Sequence, residues 1–184
     1  MSTFLKRFII LLLLVAAGTF CYSYFNGGIL NKPLSPKKTV SFSVDDLELE
    51  VFYNRPSKRD RVVFGALVPF NEVWRTGANE ATTFETNKDL NIAGSILPAG
   101  KYTLWTIPKD NSWEVIFNSK LYKWGVDETM KAMREPEFDV VNVSTLVENL
   151  KGTVEQFTIA FDNSTDNLSL TMAWDNIKVA VPLK

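Results

Sequence analysis

Val40-Ser41-Phe42-Ser43-Val44-Asp45-Asp46-Leu47-Glu48-Leu49-Glu50-Val51-Phe52-Tyr53 alternates apolar and polar residues on both sides of an acidic pair. Side chains along a strand point to opposite faces in turn. Val40, Phe42 and Val44 therefore share a face, as do Leu47, Leu49, Val51 and Tyr53, while serines and glutamates take the solvent side. Asp45-Asp46 supplies the turn. The stretch reads as a hairpin with one wet face, and the domain around it is expected to be built from strands.

Outward from the hairpin the same period recurs. Strands are predicted at 81–86, 90–93, 101–107, 113–118, 154–161, 168–174 and 177–181. Pro98-Ala99-Gly100, Pro108-Lys109-Asp110-Asn111, residues 162–167 and Asp175-Asn176 supply turns between them. Short strands at this spacing predict an all-β fold, an antiparallel β-sandwich or jelly roll. One short helix is expected at 127–135, where Asp127 can cap, Met130 and Met133 share a face and Pro136 stops it. The expected core is Phe42, Val51, Phe84, Leu104, Trp105, Ile116, Phe157, Leu170 and Trp174. Leu104 and Trp105 are adjacent and must face opposite ways, so one is exposed or the second face is covered.

The N-terminus has a different character. Residues 8–25 run from Phe8 to Phe25 without a charge, just long enough to cross a hydrocarbon core of about 30 Å as a transmembrane helix. Lys6 and Arg7 precede the run and the first acidic residue is Asp45, so residues 1–7 are expected in the cytoplasm and the remainder beyond the membrane. This predicts an inner-membrane anchor with the C-terminal domain in the periplasm. A cleaved signal segment, with Ala16-Ala17-Gly18 as its small residues, is the alternative and gives a periplasmic or secreted protein. The tyrosines Tyr22 and Tyr24 sit where interfacial anchors belong. Cys21, the single cysteine, is either an apolar residue of this segment or a lipidated one; the bulky Phe20 before it argues against lipidation. Asn26-Gly27-Gly28 and Lys32-Pro33-Leu34-Ser35-Pro36 make residues 26–36 a tether, leaving 37–184 as one domain.

Beyond residue 25 the chain holds 18 basic against 21 acidic residues, a formal charge of −3 that offers no attraction to nucleic acid. The absence of histidine removes Ser-His-Asp and Cys-His schemes, the usual zinc sites and a histidine acid or base. A catalyst here would rely on carboxylates, Lys or Tyr. Residues 162–167 superficially resemble a calcium loop, but Asn167 and Ala173 stand where that template needs Gly and Glu. No cofactor and no metal is expected.

Several segments carry a resemblance: Tyr53-Asn54-Arg55-Pro56, Arg61-Val62-Val63-Phe64-Gly65-Ala66-Leu67-Val68-Pro69, Trp74-Arg75-Thr76-Gly77-Ala78-Asn79-Glu80-Ala81-Thr82, Leu97-Pro98-Ala99-Gly100-Lys101-Tyr102 and Trp113-Glu114-Val115-Ile116-Phe117-Asn118. Together they resemble the DUF2911 family, a domain of unknown function found mostly in exported proteins of Bacteroidota. The likeness implies an exported location and a shared architecture, and no reaction. Read physically, Arg55, Arg61 and Arg75 offer planar donor forks for carboxylate, phosphate or sugar hydroxyls, and Trp74 a stacking surface. Asn79 and Glu80 add an amide and an acceptor, and Tyr53 a hydroxyl. These seven residues are the candidate site for a small polar or carbohydrate ligand. The competing reading makes them packing devices, with Arg75 paired to Glu80 or Glu72 and Trp74 in the core. A noncatalytic envelope module that binds a small polar ligand, a glycan or a protein partner is the expectation; a carboxylate-dependent hydrolase acting on carbohydrate and a purely structural envelope module are the alternatives.

Overall fold

The computed structural model describes residues 2–25, 33–164 and 167–184. It comprises two compact units, Met1–Pro36 and Lys37–Lys184. Part of the expected tether, 26–32, lies outside the described residues, as do 165–166 of the expected 162–167 turn.

The first unit contains α1 (Thr3–Phe25), 23 residues with none buried. Its best 18-residue window has a mean hydropathy of 2.1, and the helix is long and apolar enough to cross a membrane or to act as a signal. Thr19 donates its hydroxyl to the Val15 carbonyl at 3.0 Å, so the polar group is satisfied inside the helix.

Among the described residues of the second unit the regular elements are strands apart from one 3-10 turn. Its strands are β1 (Lys37–Val44), β2 (Leu47–Asn54), β3 (Thr83–Thr86), β4 (Leu90–Ile92), β5 (Ser95–Leu97), β6 (Gly100–Pro108), β7 (Ser112–Asn118), β8 (Asp139–Leu146), β9 (Glu148–Asp162) and β10 (Ser169–Pro182). A six-stranded antiparallel sheet runs in the order β1-β2-β3-β6-β7-β8, with β9–β10 and β4–β5 as separate hairpins. The opening hairpin forms in the predicted register, with Val44 opposite Leu47 and Asp45 at φ 52° in the turn.

The main core lies between one face of the large sheet and the β9–β10 hairpin. Val51, Phe84, Leu104 and Phe117 from the sheet join Phe157, Ile159, Leu170 and Trp174 from the hairpin, all buried. Phe42 packs against this core only partly buried, its ring 5.9 Å from Phe161. Leu104 and Trp105 are both buried, because the opposite face of the sheet is covered as well. Segment 119–138 does the covering, with the Tyr122 ring edge-on to Trp105 at 5.3 Å.

Three expectations are corrected. No helix forms at 127–135. Asp127 instead accepts from the Thr129 and Lys131 backbone N–H groups at 2.8 and 3.0 Å, and Val126 bridges Ala132. A short polar residue that bonds its own backbone makes a turn as readily as a helix cap, and here the turn wins. The short helical element is the 3-10 turn Pro136–Phe138, which Pro136 begins rather than ends because its fixed φ suits a first helical position. Asp175-Asn176 does not separate two strands: Asp175, at φ 55°, is a register shift inside the continuous β10. β5 and β8 are strands that the alternation did not single out.

Candidate functional site

The long connection between β2 and β3 holds most of the candidate residues. It runs along strand edges. Its first part closes the free edge of β9. The Tyr53 hydroxyl accepts from the Ile159 N–H at 3.0 Å and donates to the Ile159 carbonyl at 3.3 Å. Arg55 donates through Nε to the Phe157 carbonyl at 3.2 Å and through Nη2 to Thr158 Oγ1 at 3.0 Å. The Phe157 N–H in turn reaches the Pro56 carbonyl at 2.9 Å, and the Lys58 N–H the Glu155 carbonyl at 2.8 Å. Two side chains and two peptide groups thus stand where a neighbouring strand would stand. Burial raises the Tyr53 pKa, opposed by its bond to Ile159 and by the Arg55 charge. Arg61, exposed, caps its own loop by donating to the Lys58 and Ser57 carbonyls at 2.9 and 2.6 Å.

The second part follows the edge of β6. Asn71 N–H bonds the Pro108 carbonyl at 2.8 Å, Trp74 and Thr106 exchange backbone bonds at 2.7 and 3.0 Å, and Leu104 N–H bonds the Thr82 carbonyl at 2.8 Å. Between Trp74 and Thr82 the chain leaves β6 and rejoins it, so residues 75–81 form an excursion. Trp74 itself points into the core. Its ring lies 5.0 Å from Phe157, 5.9 Å from Trp174 and 6.1 Å from Trp113, and its indole N–H bonds the Gly77 carbonyl at 3.1 Å. Gly77 is required by close approach, since a Cβ there would sit 3.0 Å from the Asn54 carbonyl oxygen. Thr76 and Thr82, both buried, are satisfied by Thr106 Oγ1 and by the Thr76 carbonyl at 3.2 and 2.8 Å.

Asn79 and Glu80 meet Asn54 at the end of β2. Buried Asn54 donates to Glu80 Oε2 at 2.9 Å and accepts from Asn79 Nδ2 at 3.4 Å, while Lys37 Nζ reaches Glu80 Oε1 at 2.5 Å. The Lys37 hydrogen bond is the main reason the Glu80 carboxyl titrates below its ordinary range; partial burial opposes this and Asn54 assists.

Arg75 differs from the other arginines. Its Nη1 donates to the Trp124 carbonyl at 3.3 Å, and burial alone, with no carboxylate countering it, depresses its pKa. The pairing with Glu80 or Glu72 that the competing reading calls for does not form: Lys37 holds Glu80, and no ion pair among the described residues includes Arg75. Beside it, Gly125 (φ +73°) leaves no room for a side chain, a Cβ there falling 3.3 Å from Arg75 Cβ and 3.2 Å from Trp105 Cη2. The neighbouring Trp124 is exposed. This shelf is held by segment 119–138, which Arg134 pins to Asp139 through two bonds and Asn118 pins to the Glu135 carbonyl at 2.9 Å.

The structure therefore separates the seven candidates. Tyr53 and Arg55 serve β9, Arg61 its own loop and Trp74 the core, while Arg75, Asn79 and Glu80 share the 75–81 excursion. Trp124, Lys37 and Gly125 were not singled out from sequence. Trp124-Gly125 carried the available signal, an aromatic beside a turn residue, but lay next to the stretch read as a helix. A shallow groove of about 390 Å³ lies elsewhere, lined by Ser41, Ser43, Glu48, Leu49, Glu50, Glu85, Thr86 and Asn87, and includes none of the seven.

A family model described as a protein of unknown function, DUF2911, matches residues 35–183. No curated protein and no solved structure matches the chain.

Proposed function

This chain belongs to the DUF2911 family, whose description names no activity, and we propose that it is a noncatalytic binding module of the cell envelope. In this reading α1 anchors it with the C-terminal domain in the periplasm, and a small anionic ligand or an acidic glycan is recognised at the Arg75–Trp124 shelf. The observation carrying the reading is the Arg75 guanidinium, partly desolvated, bonded to one carbonyl and lacking a carboxylate partner. Partial burial of an uncompensated charge is unfavourable, and an arriving carboxylate or phosphate would supply the missing bidentate acceptor. Trp124 beside it offers an exposed ring for a sugar face.

A carboxylate-dependent hydrolase has less support. A general acid needs a carboxyl whose pKa is raised, whereas Asp46, Glu80, Glu114, Asp127 and Asp162, the described carboxyls with a shift, all move down. Titration of the detergent-solubilised chain with glucuronate, phosphate and uncharged glucose, followed by tryptophan fluorescence, tests the binding role. Glucuronate or phosphate should quench emission where glucose does not, and Arg75→Ala should abolish the response without lowering the melting temperature by more than about 3 °C. Equal responses from wild type and Arg75→Ala would refute the role given to Arg75.

A further inference from the structure

A sheet ends in strands whose outer N–H and C=O groups have no neighbour, and folded proteins blunt such edges with charges, prolines, bulges or cover. The β9 edge is covered by Tyr53, Arg55, Pro56 and Lys58. The β1 edge is not. Asn87 N–H bonds the Glu48 carbonyl and Glu48 N–H bonds Asn87 Oδ1, so Glu48 turns its peptide groups toward the β3 side. Leu47, Leu49, Val51 and Tyr53 consequently turn theirs toward β1, where they oppose Val44, Phe42, Val40 and Lys38. Thr39, Ser41 and Ser43 are left with N–H and C=O directed outward, and no described residue bonds them. No bulge interrupts the register from Lys37 to Val44, and 39–44 contains neither charge nor proline. The other end of the sheet differs, since the Thr145 hydroxyl of β8 donates to the Ala180 carbonyl of β10 at 2.7 Å.

We infer that the β1 edge is an association surface, and that its occupant is β1 of a second copy, antiparallel, with Ser41 opposite Ser41 at the two-fold axis. Charge selects both the partner and the direction. The strand begins with Lys37 and Lys38 and ends in Asp45 and Asp46, so antiparallel self-pairing sets each basic end against the acidic turn of the other copy. Parallel pairing would oppose lysine to lysine. Asp45 has no ion pair among the described residues and is available to Lys37 of the second copy, which within its own copy holds Glu80. The register centred on Ser41 pairs Thr39 with Ser43 of the second copy and brings Thr39, Ser41 and Ser43 of both copies into the ladder, with about six hydrogen bonds. It also puts Lys37 across from Asp45, and it sets the partly buried Val40 across from Phe42 on the core side. A slip of two residues sets either Lys38 across from Phe42 or Thr39 across from the turn.

The test is site-directed cross-linking of the full chain in lipid nanodiscs or mild detergent, in a Cys21→Ser background, with a bis-maleimide spanning about 8 Å. Facing positions lie about 5.5 Å apart between Cα atoms. A position two residues from the axis lies about 14 Å from its own copy along the strand. Ser41→Cys should give a covalent dimer, as should a mixture of Thr39→Cys and Ser43→Cys chains. Ser43→Cys alone and the exposed β8 position Ser144→Cys should give at least tenfold less. Adding Ser41→Lys to both chains of the mixture should cut its yield at least tenfold. Absence of dimer from Ser41→Cys, or equal yields from Ser43→Cys or Ser144→Cys alone, overturns the proposal. Yield from the mixture that Ser41→Lys leaves unchanged also overturns it.

Discussion

Replacing Tyr53 by phenylalanine removes one oxygen and should unlatch β9. The ring has no exposure and packs edge-on against Phe157 with centroids 5.9 Å apart, so the phenylalanine fits without a cavity. The Ile159 N–H and C=O lose the hydroxyl that serves both, at 3.0 and 3.3 Å. Each buried backbone group left without a partner costs about 1–3 kcal/mol, offset in part because the hydroxyl no longer has to be desolvated. A net loss of about 2–4 kcal/mol follows. At roughly 2–4 °C per kcal/mol for a domain of about this size, it corresponds to about 4–16 °C in melting temperature. Urea denaturation of Lys37–Lys184, with the slope checked for constancy, reads the effect directly. A second arm uses pH. Burial raises the Tyr53 pKa in the folded state, so the unfolded tyrosine releases its proton first and stability falls as pH rises past about 10. Tyr53→Phe should make that alkaline decline shallower. A loss below about 1 kcal/mol with an unchanged slope would refute the argument, because Ile159 would then be satisfied without the hydroxyl.

Gly125→Ala should destabilise by about 1 kcal/mol or more, since the residue has φ +73° and its new Cβ would meet Ala81, Arg75 and Trp105; thermal denaturation measures it. Glu80 should contribute to acid stability with a defined sign. Its folded pKa is lowered, so the contribution is present above the ordinary carboxylate range and lost as pH falls through the folded value; Glu80→Gln should flatten the stability–pH curve below about pH 4.5. Asp139→Asn should loosen segment 119–138, because Arg134, only 15% exposed in its side chain, loses its ionic partner there; faster amide exchange over 119–138 with little change in β9 is the expected readout.

The architecture was legible where one physical signal dominated. In 40–51 burial on one face imposes strict alternation, and the hairpin register follows from it residue by residue. Where a local side chain offers the backbone a second option, sequence could not decide. Asp127 suits a helix cap and a turn equally, and the bridge between Val126 and Ala132 selects the turn. β8 escaped notice because it alternates around an irregular pairing at Asn118, and its exposed Val140 and Leu146 blur the apolar face. The candidate site was partly legible. The residue types in Trp74–Arg75–Thr76–Gly77–Ala78–Asn79–Glu80 announced polar chemistry, but a guanidinium that binds a ligand and one that binds a carbonyl are the same letter. Arg55 and Arg75 are told apart by what lies opposite them, and that depends on a strand about 100 positions away for the one and a loop about 50 positions away for the other.

The residues that looked most like a ligand site and the strand that looked most ordinary exchange roles once edges are considered. β9 is long, lies at the margin of the smaller layer, and would expose its peptide groups there. Tyr53, Arg55, Pro56 and Lys58 meet that need with one hydroxyl, one guanidinium, one carbonyl and one N–H, which explains why chemically conspicuous side chains cluster at the end of β2 and just beyond it. The same protein leaves Thr39, Ser41 and Ser43 without any such cover, although they lie on the strand paired with the one that carries Tyr53. A fold that closes one edge with four groups and leaves an adjacent one bare, flanked by lysines at one end and aspartates at the other, treats the two edges differently. The closed edge holds the layers together, and the open one, self-complementary in charge, is suited to another copy of itself.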